Sequence, residues 1–298
     1  MRFGLVGTGY WAENVHGRAL AAHPEADLVG VWGRDPAKAA GVADKLGAKA
    51  YAEMEALLAD VDAVAIALPP AVQAPLAAQA ARAGRHLLLD KPLALTVAAA
   101  EDVAAAAGET NIASVVFFTG RFDPAITASL DEAAATGGWI GARAAMIGSI
   151  HRPGSPYAQS QWRHEFGGLW DVGPHALSRV LPVLGPATSV TAFLGAAATA
   201  HVLVAHEGGA VSELMLSIDA PADLGFSGSS FFGGTGVLDV ADPSVTAVEA
   251  YANAVDQLIA ASGEGVPRHP CDVAFGVEVV RVLAAAEESI ASGRAVSL

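Results

Sequence analysis

Through its first 120 positions the chain alternates short apolar runs with alanine-rich amphipathic stretches, the pattern of a parallel sheet covered by helices. The apolar runs predict strands at Arg2–Val6, Asp27–Trp32, Ala63–Leu68, His86–Asp90 and Ile112–Phe118. The stretches between them predict helices at Tyr10–Ala22, Pro36–Leu46, Ala71–Ala83 and Thr96–Ala107. Local punctuation agrees: Asp35 before Pro36 reads as an N-cap with proline at the first helical position, and Gly84 closes a helix before the next strand.

Past Arg121 the rhythm changes. One helix, Asp123–Ala135, precedes strands at Trp139–Ile150, Thr188–Leu194, His201–His206, Val211–Ile218, Ser229–Gly233 and Val237–Val240. Glycine-rich turns such as Glu207-Gly208-Gly209 separate these strands without an intervening helix, which predicts an antiparallel sheet. Helices Pro174–Leu184, Val245–Ser262 and Asp272–Ser292 are expected to cover one face of it, the last returning toward the first domain. The fold class is therefore an α/β domain with a parallel sheet over residues 1–120, followed by an α+β domain with an open, mostly antiparallel sheet over residues 121–298. Apolar strand residues on the sheet's open face predict a homo-oligomer, a dimer or tetramer, built through that second sheet.

Composition narrows the partners. A chain of 298 residues buries a sizeable core unaided, and its single cysteine, Cys271, leaves no intrachain disulfide or paired-cysteine zinc motif. The formal charge of -14, with no basic tract, opposes nucleic acid. No window approaches the roughly 18 apolar residues of a membrane span. Met1-Arg2-Phe3 runs into a glycine at position 4 instead of the apolar core of a secretory leader, so a soluble protein of the reducing cytoplasm is expected. No cluster has metal-ligand spacing, and no metal is expected.

Chemistry enters at Gly7-Thr8-Gly9-Tyr10-Trp11-Ala12, which follows a predicted strand and opens a predicted helix. Gly7 permits the tight turn, Gly9 lets a pyrophosphate approach the backbone, and Ala12 lets the helix pack on its strand. The N–H groups of the helix N-terminus then face the phosphates. This is a Rossmann dinucleotide turn, and it makes residues 1–120 the cofactor domain and residues 121–298 the substrate and oligomerisation domain. At the end of the second strand, where an acidic residue would hold the ribose of NAD, the chain has Gly33-Arg34. Glycine removes repulsion of a 2′-phosphate and arginine pairs with it, which tilts the cofactor toward NADP over NAD. Leu68 and Pro69, where the third strand ends, join the cofactor set.

Only four lysines stand against thirteen arginines, and one of them, Lys91, follows the apolar strand Leu87-Leu88-Leu89-Asp90 at the ligand edge of the sheet. Asp90-Lys91-Pro92 corresponds to a Glu-Lys-Pro common in one group of enzymes. The stretch Gly167-Gly168-Leu169-Trp170-Asp171-Val172-Gly173-Pro174-His175 matches that group's glycine-rich lead into Asp-x-x-x-His. With Trp162-Arg163, Arg121-Phe122-Asp123-Pro124 and Glu288-Ser289…Gly293-Arg294, the whole chain resembles the glucose-fructose oxidoreductase, inositol dehydrogenase and rhizopine-catabolism protein (Gfo/Idh/MocA) superfamily. The resemblance implies that Lys91, Asp171 and His175 meet over a nicotinamide, with Asp90 and Lys91 touching cofactor, and Arg121, Trp162 and Arg163 touching substrate. It implies hydride transfer at a hydroxyl or carbonyl carbon of a sugar, cyclitol or related polyol. Histidine suits the proton-transfer role near neutral pH, and Lys91 would stabilise charge on oxygen. Pro174 starts a helix just before His175, whose dipole favours neutral imidazole, while a turn must separate Asp171 from that helix.

The chain departs from the family at Asp90, at Gln73 where many relatives have histidine, and at Pro174. Two other functions are compatible with the same fold: an NAD-dependent glycosidase acting by transient oxidation, and a non-catalytic nucleotide sensor. His151 and His164, with Arg152 and Arg163, either line the substrate pocket or sit in an exposed loop, and His201 and His206 are expected at the surface.

Overall fold

Apolar runs buried on both faces form the first sheet, as expected for parallel strands covered by helices. In the computed structural model, which describes residues 1–221, 225–263 and 268–298, these strands are β1 (Arg2–Val6), β2 (Asp27–Trp32), β3 (Lys49–Tyr51), β4 (Ala63–Ile66), β5 (His86–Asp90) and β6 (Ser114–Phe117). All pairings are parallel and the order is β3-β2-β1-β4-β5-β6, so the winding reverses between β1 and β4 and opens a crevice at their carboxyl ends. The strand β3 and the helix after it, α3 (Met54–Asp60), were not predicted: three residues with one buried side chain carry too little alternation to read.

The connecting helices are α1 (Arg18–Ala22), α2 (Pro36–Leu46), α4 (Pro70–Arg82) and α5 (Val97–Thr110). Asp35 caps α2 as its position suggested, Oδ1 accepting from Ala37 N–H at 3.0 Å and Lys38 N–H at 3.2 Å. The expected single helix Tyr10–Ala22 is instead interrupted by a π-helical stretch, Ala12–Gly17, before α1. A wider turn rotates the following side chains out of the phase an α-helix would give them.

The first unit comprises Met1–Phe122 and Val245–Val277. Here the expectation that Val245–Ser262 covers the antiparallel sheet is corrected. That segment forms α9 (Ala247–Ala261), which packs on β5, β6 and the 3-10 turn Thr119–Phe122 of the first unit. Its apolar face was legible, but periodicity does not say which sheet a face covers. Tyr251 decides it by stacking on His16 at 4.0 Å and meeting Phe117 edge-on at 4.8 Å.

The second unit comprises Asp123–Ser244 and Glu278–Leu298. Its strands are β7 (Trp139–Ile147), β8 (Ala187–Leu194), β9 (Ala200–His206), β10 (Val211–Ser217), β11 (Phe226–Gly233), β12 (Gly236–Asp239) and β13 (Val296–Ser297), in the order β12-β11-β7-β10-β9-β8-β13. Every pairing is antiparallel except β7 with β10. Helices α6 (Pro124–Thr136), α7 (Gln161–Asp171) and α8 (Gly173–Leu184) belong to this unit, and α8 packs on β7 and β10. Helix α10 (Val273–Ser292) supplies residues to both units.

Val190, Val202, Val204, Leu214, Leu216 and Phe231 are buried on the inner face of the second sheet. His206 is also inside, at 3% exposure, correcting the surface position expected for it. Its ring nitrogens lie 2.8 Å from the Gly185 carbonyl and 2.9 Å from Ser212 Oγ, which satisfy the buried imidazole.

Candidate active site

The glycine-rich turn is shaped by steric demands that only small residues meet. Gly7 adopts φ +134°, and a Cβ there would sit 2.5 Å from the Ala67 carbonyl oxygen. Its N–H donates to the Trp32 carbonyl at 2.9 Å, tying the turn to the end of β2. A Cβ on Gly9 would meet nothing within 4 Å, so the space above that residue is open for a phosphate to approach the backbone. Ala12 is fully buried, while Tyr10 is 49% exposed at the helix start.

Gly7, Thr8, Gly9, Gly33, Arg34, Leu68 and Pro69 line one cleft of about 250 Å³, together with Asp35, Lys38 and Ala67. Seven of the residues predicted to hold cofactor are thus gathered at the crevice between β1 and β4. Lys38 was missed. Its signal was its rarity among the lysines and its place in the first turn of α2, directly after the second strand. Arg34 and Lys38 are both exposed cations beside the cleft. Asp35 shares the cleft, but Oδ1 is committed to capping α2. A Cβ at position 33 would lie 2.6 Å from Thr8 Cγ2, so the threonine methyl occupies the space from which an acidic side chain would extend. The open backbone at Gly9 and the donors beside it fit a nicotinamide dinucleotide.

Asp90 and Lys91 lie two strands along the same edge, at the end of β5. The Lys91 N–H donates to Asp90 Oδ1 at 2.8 Å, and the Lys91-Pro92 peptide is cis, which sequence alone left undetermined. Arg121 follows β6 in the 3-10 turn, with its N–H bonded to the Phe118 carbonyl at 2.7 Å.

In the second unit, α7 and α8 carry the other candidates. Gly167 takes φ +61° inside α7 and kinks it. Val172, with φ -105° and ψ -17°, separates Asp171 from α8 and accepts the His175 N–H at 3.1 Å, so the turn expected between the motif's aspartate and histidine is present. Pro174 stands in the first turn of α8, beside His175. Asp171 is buried at 6% exposure, with Oδ2 3.1 Å from Arg163 Nε. The Arg163 guanidinium carbon lies 4.5 Å from the Trp162 ring centroid and 4.6 Å from that of Tyr157, a residue not singled out in the sequence. Two aromatic faces and one carboxylate thus hold this cation in a fixed orientation.

His151 and His164 stack at 3.8 Å and line a cleft of about 130 Å³ with Arg163, Gly167, Gly168 and Asp219. His164 is exposed and His151 half-buried in a mostly exposed loop, and Arg152 is outside the cleft lining. Burial and the neighbouring His164 hold the His151 imidazole below its ordinary range. His201 stacks on Phe193 at 5.0 Å. Among the described residues, no group of three or more His, Cys, Asp or Glu is placed to hold a metal ion, and no helix is long and apolar enough to cross a membrane.

Comparison with known proteins agrees with this geometry. A family model described as "Oxidoreductase family, NAD-binding Rossmann fold" (GFO_IDH_MocA) matches residues 1–118. A dTDP-3,4-didehydro-2,6-dideoxy-alpha-D-glucose 3-reductase of Streptomyces antibioticus is 30% identical over 233 residues, 74% of this chain and 70% of the relative. The inositol 2-dehydrogenase of Rhizobium meliloti (strain 1021) is 33% identical over 137 residues, covering 44% of this chain and 41% of that enzyme. Among solved structures, GenD2 from gentamicin A biosynthesis, in complex with NAD, superposes with a TM-score of 0.86 at 27% identity over 100% of this chain and 96% of GenD2.

Proposed function

Because the chain belongs to the Gfo/Idh/MocA family of NAD-binding oxidoreductases, we propose that it interconverts a hydroxyl and a carbonyl on a sugar or cyclitol, and that it prefers NADP. The observation carrying the cofactor preference is the cleft that joins the Gly7–Gly9 backbone to the cations Arg34 and Lys38, while its acidic lining residue, Asp35, spends Oδ1 on capping α2. Two cations beside that position favour a 2′-phosphate by charge, and arginine can also form paired hydrogen bonds with it. The sugar or cyclitol substrate is supported by relatives named as a nucleotide-sugar reductase and an inositol dehydrogenase.

Bound nicotinamide supplies the hydride acceptor or donor. The chain's residues handle the proton and the charge on oxygen. His175 takes the hydroxyl proton during oxidation and returns it during reduction. Lys91 carries an ammonium suited to stabilising negative charge that develops on oxygen. Asp171 holds Arg163 against Trp162 and Tyr157, giving a flat, cationic surface suited to sugar hydroxyls. Arg121 contributes a further cation to substrate binding. The substrate is thus a small molecule, handled in the reducing cytoplasm expected from the single cysteine.

Fluorescence titration with NADPH and NADH tests the cofactor preference. NADPH should bind at least tenfold more tightly, and Arg34→Ala with Lys38→Ala should abolish that difference by weakening NADPH alone. Tighter NADH binding overturns the preference. A polyol and sugar screen with the preferred cofactor then identifies the substrate. With it, Lys91→Ala and His175→Ala should each lower kcat by about 100-fold or more, with net nicotinamide turnover in the parent enzyme. Full turnover in both folded variants rejects the assigned roles.

A further inference from the structure

Gln73 is an amide inside an alanine-rich helix, α4, and it is 0% exposed. A primary carboxamide without partners would be costly in such a place, so its bonds reveal what it does. Nε2 donates to the Asp90 carbonyl at 2.6 Å and to the Pro92 carbonyl at 3.2 Å, with the Leu93 carbonyl at 3.5 Å. Oε1 accepts the Asp90 N–H at 3.1 Å. The β4–β5 ladder ends with Ile66 opposite Leu89, whereas β6 pairs one residue further, Phe117 with Asp90. The carboxamide therefore offers Asp90 the donor and acceptor of a strand that stops one residue short.

The same nitrogen bridges the carbonyls of Asp90 and Pro92, the residues on either side of Lys91. The Lys91 N–H is closed from the other direction by Asp90 Oδ1. Each of these bonds engages the backbone between Asp90 and Leu93, the turn that carries the Lys91 side chain. We propose that Gln73 is the positioning residue for Lys91: its buried carboxamide clamps the turn and fixes where the ammonium is presented. This rests on the reading of Lys91 as the group that stabilises charge on the reacting oxygen. Displacement of such a group by about 1 Å can cost on the order of 100-fold in rate. The cleft at Gly7–Gly9, Arg34 and Lys38, to which the phosphates are assigned, is lined by none of the clamped residues, so a clamp variant should keep most of its NADPH affinity even though Asp90 and Lys91 are expected near the nicotinamide end.

The test compares Gln73→Leu, Gln73→Glu, Gln73→His and Lys91→Ala at pH 8, using the substrate found in the screen and NADPH titration to count folded sites. Gln73→Leu removes every bond, and Gln73→Glu keeps the acceptor but removes both donors. Both should lower kcat per folded site by about 10- to 100-fold while the NADPH Kd stays within about threefold. Neutral imidazole retains one donor and one acceptor, so Gln73→His should recover kcat to within about fivefold of the parent. Parental kcat per folded site in Gln73→Leu or Gln73→Glu, with only thermal stability reduced, overturns the clamp. If Gln73→Leu yields no NADPH-binding sites, Gln73→Glu carries the decision by the same criterion. If Lys91→Ala itself keeps full kcat, the role of Lys91 fails first and the clamp with it. If Lys91→Ala is inactive and the Gln73 variants are not, only the clamp fails.

Discussion

His16 is a fully buried imidazole whose two nitrogens have no hydrogen-bond partner among the described residues, stacked on Tyr251 at 4.0 Å. Burial pushes its pKa down to about 3, and burial together with the Arg121 charge takes His269 down to about 4. Both are neutral in the fold but protonate in the unfolded chain once the pH falls below the ordinary imidazole value. The unfolded state therefore binds more protons, and stability rises with pH in this window. It is whole above about pH 6.5 and declines through the folded values, about 4 for His269 and about 3 for His16. Each residue should contribute a slope of about 1.4 kcal/mol per pH unit. Urea unfolding at pH 7, 6 and 5 should show His16→Leu less sensitive to acid by about that slope; an unchanged slope rejects a neutral buried His16. Neither His16 nor Gln73 was legible as buried. His16 lies in the π-helical stretch, where α-helical phase assigns side chains to the wrong face, and a lone glutamine among alanines gives no sign of the backbone it meets. That Gly7, Gly9, Gly33 and Arg34 line one cleft was legible because a strand–turn–helix context constrains the backbone that brings them together.

At the scale of elements, the glycine pair before Asp171 acquires separate roles. Gly167 takes the positive φ that kinks α7, and Gly168 lets α7 lie against β10. A Cβ at position 168 would fall 2.7 Å from the Ser217 Cα and 2.9 Å from the Leu216 carbonyl carbon and oxygen. These are backbone atoms of a central strand and have little room to yield. Gly168→Ala should therefore destabilise the protein by about 1–3 kcal/mol and shift Asp171, three residues on, away from Arg163. A lowered thermal midpoint and weaker substrate binding, with NADPH affinity retained, are the expected results; an unchanged midpoint contradicts the close approach. The motif could be recognised in the sequence although the helix carrying its first half was not predicted. Two consecutive glycines and a polar run from Gln159 to Glu165 obscure the helical period over α7. Conversely, the strands of the second sheet were read well because their inner and outer faces alternate so regularly.

For the whole molecule, that alternation has a consequence on the outer face of the second sheet. Phe193, Leu203 and Val211 are 58%, 46% and 44% exposed. Leu203 pairs across the strands with Thr191 and Glu213, and Phe193 with His201, so these side chains share one face. Apolar residues gathered on an open sheet are better explained by association than by solvent exposure, and we propose that this face joins copies of the chain as a dimer or tetramer. The acidic protomers, each of formal charge -14, should repel one another, so association should tighten as salt screens that repulsion. Light scattering from about 1 to 100 µM, roughly the range in which transient and stable assemblies differ, should give an oligomeric mass. The double variant Phe193→Lys and Leu203→Lys should give the protomer mass. Lysine at 203 faces Glu213 within its own sheet, which offsets the change for the fold, while both ammonium groups would be desolvated in the interface. NADPH binding should survive because the cofactor cleft belongs to the other unit. A parent protein that scatters as a protomer throughout, or a double variant that keeps the parent's mass, removes this face from the assembly.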